Sequence, residues 1–244
     1  MKKFSAIACA LLLSVSQVAF AKIGSRNLEE DVKLRQVCYP AIFLPTVGTD
    51  VTVGTGGIVG TKSANGVSSI TLSSATTELS SLPYPAKLNV IMYDASANGT
   101  VVCTAAVITG TDQFGSPIKE TVAVTESAAT TTAVWATVSS VAATGCSGGS
   151  TGDLIQVYVS TTIGLGVKIA STADVESMCL DDAGSELKCV AQDDNTALDI
   201  SSKASVSTHS YDLSGTAFGT GSKVAAADND GLCFSVRSSR RRSF

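Results

Sequence analysis

The chain predicts an all-β protein: an antiparallel β-sandwich, an Ig-like or jelly-roll-like meander, in two β domains with a short helical arm at the N-terminus. Three observations carry this. Runs rich in Val, Ile, Thr and Ala alternate with turn residues from Leu82 to Thr161. No helical period interrupts that stretch. Hydrophobic residues make up 44% of the 244 positions but aromatics only 5%, which suits thin sheets packed through small branched side chains.

In chain order, Met1–Ala21 reads as a secretion signal. Lys2 and Lys3 form a positive start, Ala6 to Val15 an apolar run, and Ala19-Phe20-Ala21 a small-x-small cleavage site. The apolar run is short for a bilayer span, which takes about 20 residues, so the expectation is an exported chain with no membrane segment after cleavage. Lys22–Arg35 is the charged arm. Ser25 or Asn27 caps a short helix through Gln36, with Glu29, Glu30 and Asp31 in its first turn. Cys38 to Pro45 is apolar and proline-bracketed, an edge strand at best.

Residues 22–81 form a first segment of arm and short strands, with Gly57-Ile58-Val59-Gly60 and Ser69-Ile70-Thr71-Leu72 among them. A central domain follows over 82–170. Leu88, Val90 and Met92 share one strand face, and Lys87, Asn89, Ile91 and Tyr93 the other. Asn98-Gly99 supplies a hairpin turn. Val101 to Thr109 is apolar on both faces, as a central strand is. Past the turn from Asp112 to Pro117, Ile118, Val122 and Val124 point inward and Lys119 and Thr121 outward. Ala133 to Val141 and Leu154 to Thr161 complete the meander. Residues 171–244 add a hairpin over Asp174 to Val190, a strand at Ser205-Val206-Ser207-Thr208, a last strand from Leu232 to Val236, and a basic tail.

Composition narrows the function classes. Charged residues are 16% and the net charge is −4, which excludes a globally basic nucleic-acid binder. Seven cysteines are present; with Cys9 in the signal, Cys38, Cys103, Cys146, Cys179, Cys189 and Cys233 remain. In an exported chain an even number points to disulfides, with about fifteen possible pairings. Cys179 and Cys189 flank a turn and are the first pair, Cys103 and Cys146 within the meander the second, and Cys38 with Cys233 the remainder. Six buried free thiols are the alternative.

Four motifs invite a chemical reading. Gly145-Cys146-Ser147-Gly148-Gly149 has the Gly-x-Ser-x-Gly pattern, but a hydrolase needs a base and an acid beside its serine, and the single histidine, His209, has no supporting motif. Asp228-Asn229-Asp230-Gly231 and Asp193-Asp194-Asn195 resemble calcium loops without the closing Glu; ordinary turns explain them. Arg237, Arg240, Arg241 and Arg242 offer a polyanion or partner contact. Asn98-Gly99-Thr100 fits a glycosylation acceptor and equally a hairpin. No catalytic residue, metal ligand, cofactor or small-molecule substrate is therefore assigned.

The stretch Val107-Ile108-Thr109-Gly110-Thr111-Asp112-Gln113-Phe114-Gly115-Ser116-Pro117-Ile118-Lys119-Glu120-Thr121-Val122 resembles a pattern in tailed-bacteriophage virion structural proteins. A strand there ends in Thr-Gly-Thr-Asp, turns through an aromatic-Gly pair and continues into a strand containing Glu-Thr. Tyr84 to Val90, Gly152 to Val157 and Gly164-Leu165-Gly166 resemble the neighbouring stretches, so the likeness covers residues 82–175. It implies a head-decoration (cement) or neck and tail component built on β domains, and no functional residue transfers. The secretion signal and cysteine content depart from that pattern.

The sequence thus leads to a non-enzymatic structural protein on a virion surface, extracellular or virion-borne. It would assemble with copies of itself or a larger assembly through edge strands, arm and tail, with Lys22–Arg35 or the tail swapped onto a neighbour. An exported bacterial surface or filament subunit is the alternative, and a secreted carbohydrate-binding module a third.

Overall fold

β-branched residues that alternate with small polar ones pay little to become extended, and they lower their free energy by covering one another across strands. In the computed structural model, which describes residues 33–40, 58–76, 78–79, 82, 84–93, 103–124, 127–181, 188–191, 204–213 and 231–238, that pattern produces fourteen named strands and two short 3-10 turns. The strands are β1 (Lys33–Pro40), β2 (Ile58–Ser63), β3 (Ser69–Ser73), β4 (Ala86–Tyr93), β5 (Cys103–Asp112), β6 (Pro117–Val124) and β7 (Ala129–Thr130), followed by β8 (Trp135–Thr144), β9 (Leu154–Gly164), β10 (Val175–Asp181), β11 (Lys188–Ala191), β12 (Ala204–Ser205), β13 (Ser210–Asp212) and β14 (Gly231–Ser238). The fold is all-β and antiparallel, a sandwich of packed sheets.

The larger sheet runs β12-β13-β9-β4-β8-β5-β6, with β2 added on β9, β3 on β8 and β7 on β4. This is not the chain-order meander the sequence predicts. Hairpin neighbours such as β5 and β6 pair, but β4 reaches past four strands to β9, and β5 pairs with β8. Two strands before residue 82 are woven into it: β2 pairs with β9 and β3 with β8. All described residues fall in one compact unit, Val32–Phe244.

β9 is the hub. Ile155, Val157, Val159 and Ile163 are fully buried on one face, and Gln156, Tyr158 and Ser160 are buried on the other, as befits a strand covered on both sides. Leu88, Val90 and Met92 of β4 join that core with Ala106 and Ile108 of β5, Val122 and Val124 of β6, and Leu72 of β3. β8 buries Trp135, Val138, Val141 and Ala143, a spacing of three twice over that no regular strand allows. Two bulges supply it: Ser139 and Ala136 are the extra residues between pairs Thr109–Ser140, Gly110–Val138, Thr111–Thr137 and Asp112–Trp135. A Cβ on Gly110 would sit 2.0 Å from the Thr137 carbonyl oxygen, so the bulged approach requires glycine there.

The smaller sheet runs β1-β14-β10-β11. Leu232, Phe234 and Val236 of β14, Val175 and Met178 of β10 and Tyr39 of β1 face inward. Phe234 packs on Tyr211 with ring centroids 5.1 Å apart, and Tyr39 on Tyr84 at 6.0 Å. The Tyr39 hydroxyl donates to the Gly164 carbonyl at the end of β9. Burial pushes that phenol's pKa up to about 12.

Three predicted elements differ. The helix expected through Gln36 is not formed where it can be seen: Lys33 to Gln36 belong to β1, in unbroken register with Ser238 to Ser235, and residues 22–32 lie outside the described residues. Val37 and Tyr39 gain burial only if the chain alternates, and that outweighs the weak helical preference of the charged arm. The strand expected over Ser205–Thr208 stops at Ser205. Hydroxyl bonds from Thr208 to Ser205 (2.8 Å) and between Thr208 and Ser210 (2.7 Å) favour a turn, which His209 closes at φ 49°. The last strand runs on to Ser238, so Arg237 is a strand residue, not tail.

Candidate functional site

The Gly-x-Ser-x-Gly loop is built for immobility. Gly145 (φ 66°), Gly148 (φ 81°) and Gly152 (φ 98°) occupy left-handed backbone conformations that glycine adopts without strain. Cys146 is bonded to Cys103, and its amide donates to the Ser68 carbonyl at 3.0 Å. Gly149 lies so close to the β2–β3 turn that a Cβ would meet the Ala64 carbonyl oxygen at 1.9 Å. The fully buried Asp153 closes the loop, accepting from the Ser150 amide (2.6 Å) and hydroxyl (3.0 Å) while its own carbonyl accepts from Ala64 N. Ser147 is exposed within it. These contacts tie the loop to the β2–β3 connection and the start of β5, and that makes it a structural clasp.

His209 belongs to a second cluster. Its Nδ1 accepts from the Ile169 amide at 3.2 Å, and its ring meets the edge of Phe114 at 5.6 Å. Lys168 Nζ sits 5.3 Å from the Phe114 centroid, a cation–π contact. Burial, then the Lys168 charge, hold the His209 pKa below its usual value. The organiser is Gln113. Its Nε2 donates to the carbonyls of Thr208 (2.7 Å) and His209 (3.1 Å), and its Oε1 accepts from Gly166 N at 2.9 Å. One side-chain amide thus ties the β5–β6 turn, the β12–β13 turn and the loop after β9. The β5–β6 turn is itself held by Asp112, whose Oδ1 accepts from the amides of Phe114 and Ser116, both at 2.8 Å.

A carboxylate clamp does similar work at the sheet margin. Glu120 of β6 accepts from the amides of Thr132 (2.6 Å) and Ala133 (3.0 Å), drawing the β7–β8 connection against β6. An open cleft of about 450 Å³ is lined by Ser74, Leu79, Leu82 and residues Ala136 to Ser139 of β8, a mixed surface with no titratable group.

Among the cysteines, Cys38 is bonded to Cys233 and Cys103 to Cys146. Cys179 is disulfide-bonded, and the residue in register opposite it on β11 is Cys189, whose side chain lies outside the described residues. Arg237 pairs with Glu176 on the neighbouring β10; Arg240, Arg241 and Arg242 lie outside the described residues, as do the turns at Asp193–Asn195 and Asp228–Asp230 and the Asn98-Gly99 turn. Among the described residues no group of three or more His, Cys, Asp or Glu is placed to hold a metal ion. Trp135 is fully buried.

No protein-family model, curated protein or solved structure matches this chain. Sequence reasoning missed Gln113, Glu120 and Asp153. Gln113 and Glu120 serve backbone groups in other segments of the chain, and Asp153 serves Ser150 within its own loop from a fully buried position, so each looked like an ordinary loop or edge residue.

Proposed function

We propose that the protein is a non-enzymatic structural subunit that works by packing against copies of itself or a larger assembly, with a virion-surface (cement) role as the leading form. One observation carries this: the polar side chains that would serve chemistry elsewhere are spent here on fixing loops to sheets. Gln113, Asp112 and Glu120 each bond two or more backbone groups and Asp153 holds the Ser150 amide and hydroxyl, leaving a shaped scaffold with β6 and β1 as terminal strands of their sheets among the described residues. Terminal strands present unpaired backbone groups that a neighbour can use. The likeness over residues 82–175 to tailed-phage virion proteins supports the virion form.

The disulfides favour a second form, an exported bacterial surface or filament subunit, since such bonds persist in oxidising compartments. Among the described residues no helix is long and apolar enough to cross a membrane. A carbohydrate-binding role has less support, because the single tryptophan is sealed in the core. The test is the mass of the native material by light scattering, with and without residues 22–32 and 239–244. Assembly that weakens on trimming supports the reading, and a strict monomer at all concentrations rejects it. Co-sedimentation with DNA-filled particles separates the virion form from the surface form.

A further inference from the structure

Four cysteines stand in one row across the smaller sheet. Cys38 is in register with Cys233, Cys233 with Cys179, and Cys179 with Cys189, so β1, β14, β10 and β11 each contribute one at the same level. Residues directly opposite in neighbouring strands point to the same face, with Cβ atoms about 4.5–5.5 Å apart. That face is the outer one. On β14 the flanking Leu232 and Phe234 are buried inward, whereas Cys233 is half-buried, Cys179 likewise, and Cys38 exposed. The Cys103–Cys146 pair is the opposite case, at 5% and 9% exposure inside the core.

We propose that this row is a thiol–disulfide exchange site for a small thiol, at which attack on one bond relocates the other. A thiolate attacks Sγ of the exposed Cys38. The new sulfur–sulfur bond joins the small thiol to Cys38, the Cys38–Cys233 bond breaks, and Cys233 leaves with the electron pair as a thiolate. That thiolate already stands beside Cys179. It attacks the Cys179 sulfur, forms a Cys179–Cys233 bond, and expels as a thiolate the sulfur that held Cys179, for which the register nominates Cys189. One external thiol is consumed, one mixed disulfide is gained, and the number of protein disulfides falls by one. The consequence is mechanical. The covalent tie on the terminal strand β1 is lost and one forms between the central strands β14 and β10, so β1 is left held by hydrogen bonds alone. A free β1 is a strand that a second copy can pair with. This inference does not depend on the structural role proposed above, since it concerns the reactivity of one face.

The experiment exposes the oxidised, full-length protein to reduced glutathione under native conditions at about pH 8, where a useful fraction of the thiol is ionised. Samples are quenched in acid, blocked with N-ethylmaleimide and mapped as non-reduced peptides. The expected species carries glutathione on Cys38, maleimide on Cys189 and a Cys179–Cys233 link, and forms at least about tenfold faster than Cys103–Cys146 opens. In C179S/C189S the same attack leaves Cys233 as a thiol that takes maleimide. If the Cys179–Cys233 peptide never appears among molecules modified at Cys38, or if Cys103–Cys146 opens as fast as Cys38–Cys233, the proposal is wrong. Should the double variant fail to fold, the wild-type time course decides alone.

Discussion

Replacing Gln113 tests the three-way tie that holds one end of the sandwich. Its amide makes three hydrogen bonds to backbone in two other segments. At about 1 kcal/mol net each, Gln113→Ala would cost about 3 kcal/mol. Gly166 is exposed and water can replace its bond, which lowers the expectation to about 2 kcal/mol. Gln113→Glu is the sharper probe, because it keeps size and the acceptor for Gly166 while removing both donors. A carboxylate oxygen would then face the carbonyls of Thr208 and His209, so the glutamate must destabilise at least as much as alanine at neutral pH. Urea unfolding followed by tryptophan fluorescence reads the difference, and in a unit of this size it corresponds to about 4–8 °C in Tm. If Gln113→Glu matches the wild type, or Gln113→Ala costs less than about 0.5 kcal/mol, the amide is not the organiser described above.

Three further outcomes are expected. His209 has a folded pKa held below the usual histidine value of 6.5, so the unfolded chain takes up the proton first. Its contribution is present above that unfolded value and is lost as pH falls through it toward the folded pKa. His209→Asn, which tolerates a positive φ, should flatten the stability profile between about pH 7 and 5; an unchanged slope in chemical denaturation would count against the burial of the imidazole beside Lys168. Tyr39→Phe should remove a phenol ionising near 12 from an ultraviolet alkaline titration, and cost about 1 kcal/mol by loss of the bond to Gly164. The buried phenol's contribution is present below about pH 10 and lost as pH rises through the folded value. Trp135→Ala empties a fully buried site and should cost about 3–5 kcal/mol in denaturant unfolding; a loss under about 1 kcal/mol would mean that the ring does not pack as described.

The strands of the central region were readable because burial on one face of a sheet leaves a period of two in the residues. Leu88, Val90 and Met92 are buried as that period requires. The signal fails where a side chain's partner is far along the chain. Nothing near Gln113 announces that it serves residues 166, 208 and 209. The two bulges of β8 depend on how Gly110 of β5 approaches Thr137, and neither strand alone encodes them. At Lys33–Gln36 the local charge pattern favoured a helix, but pairing with β14, roughly two hundred residues later, decided for a strand.

From the sequence alone came the all-β class, the turn from Asp112 to Pro117 and the cysteines available for cross-linking, because these follow from local stereochemistry and composition. Tertiary structure alone decided that β4 would lie beside β9 rather than β5, that Cys38, Cys233, Cys179 and Cys189 would form one row, and that Gln113 and Glu120 would bond backbone in other segments. Strand order and register depend on which faces can be buried together, and that is a property of the whole packed chain rather than of any window along it.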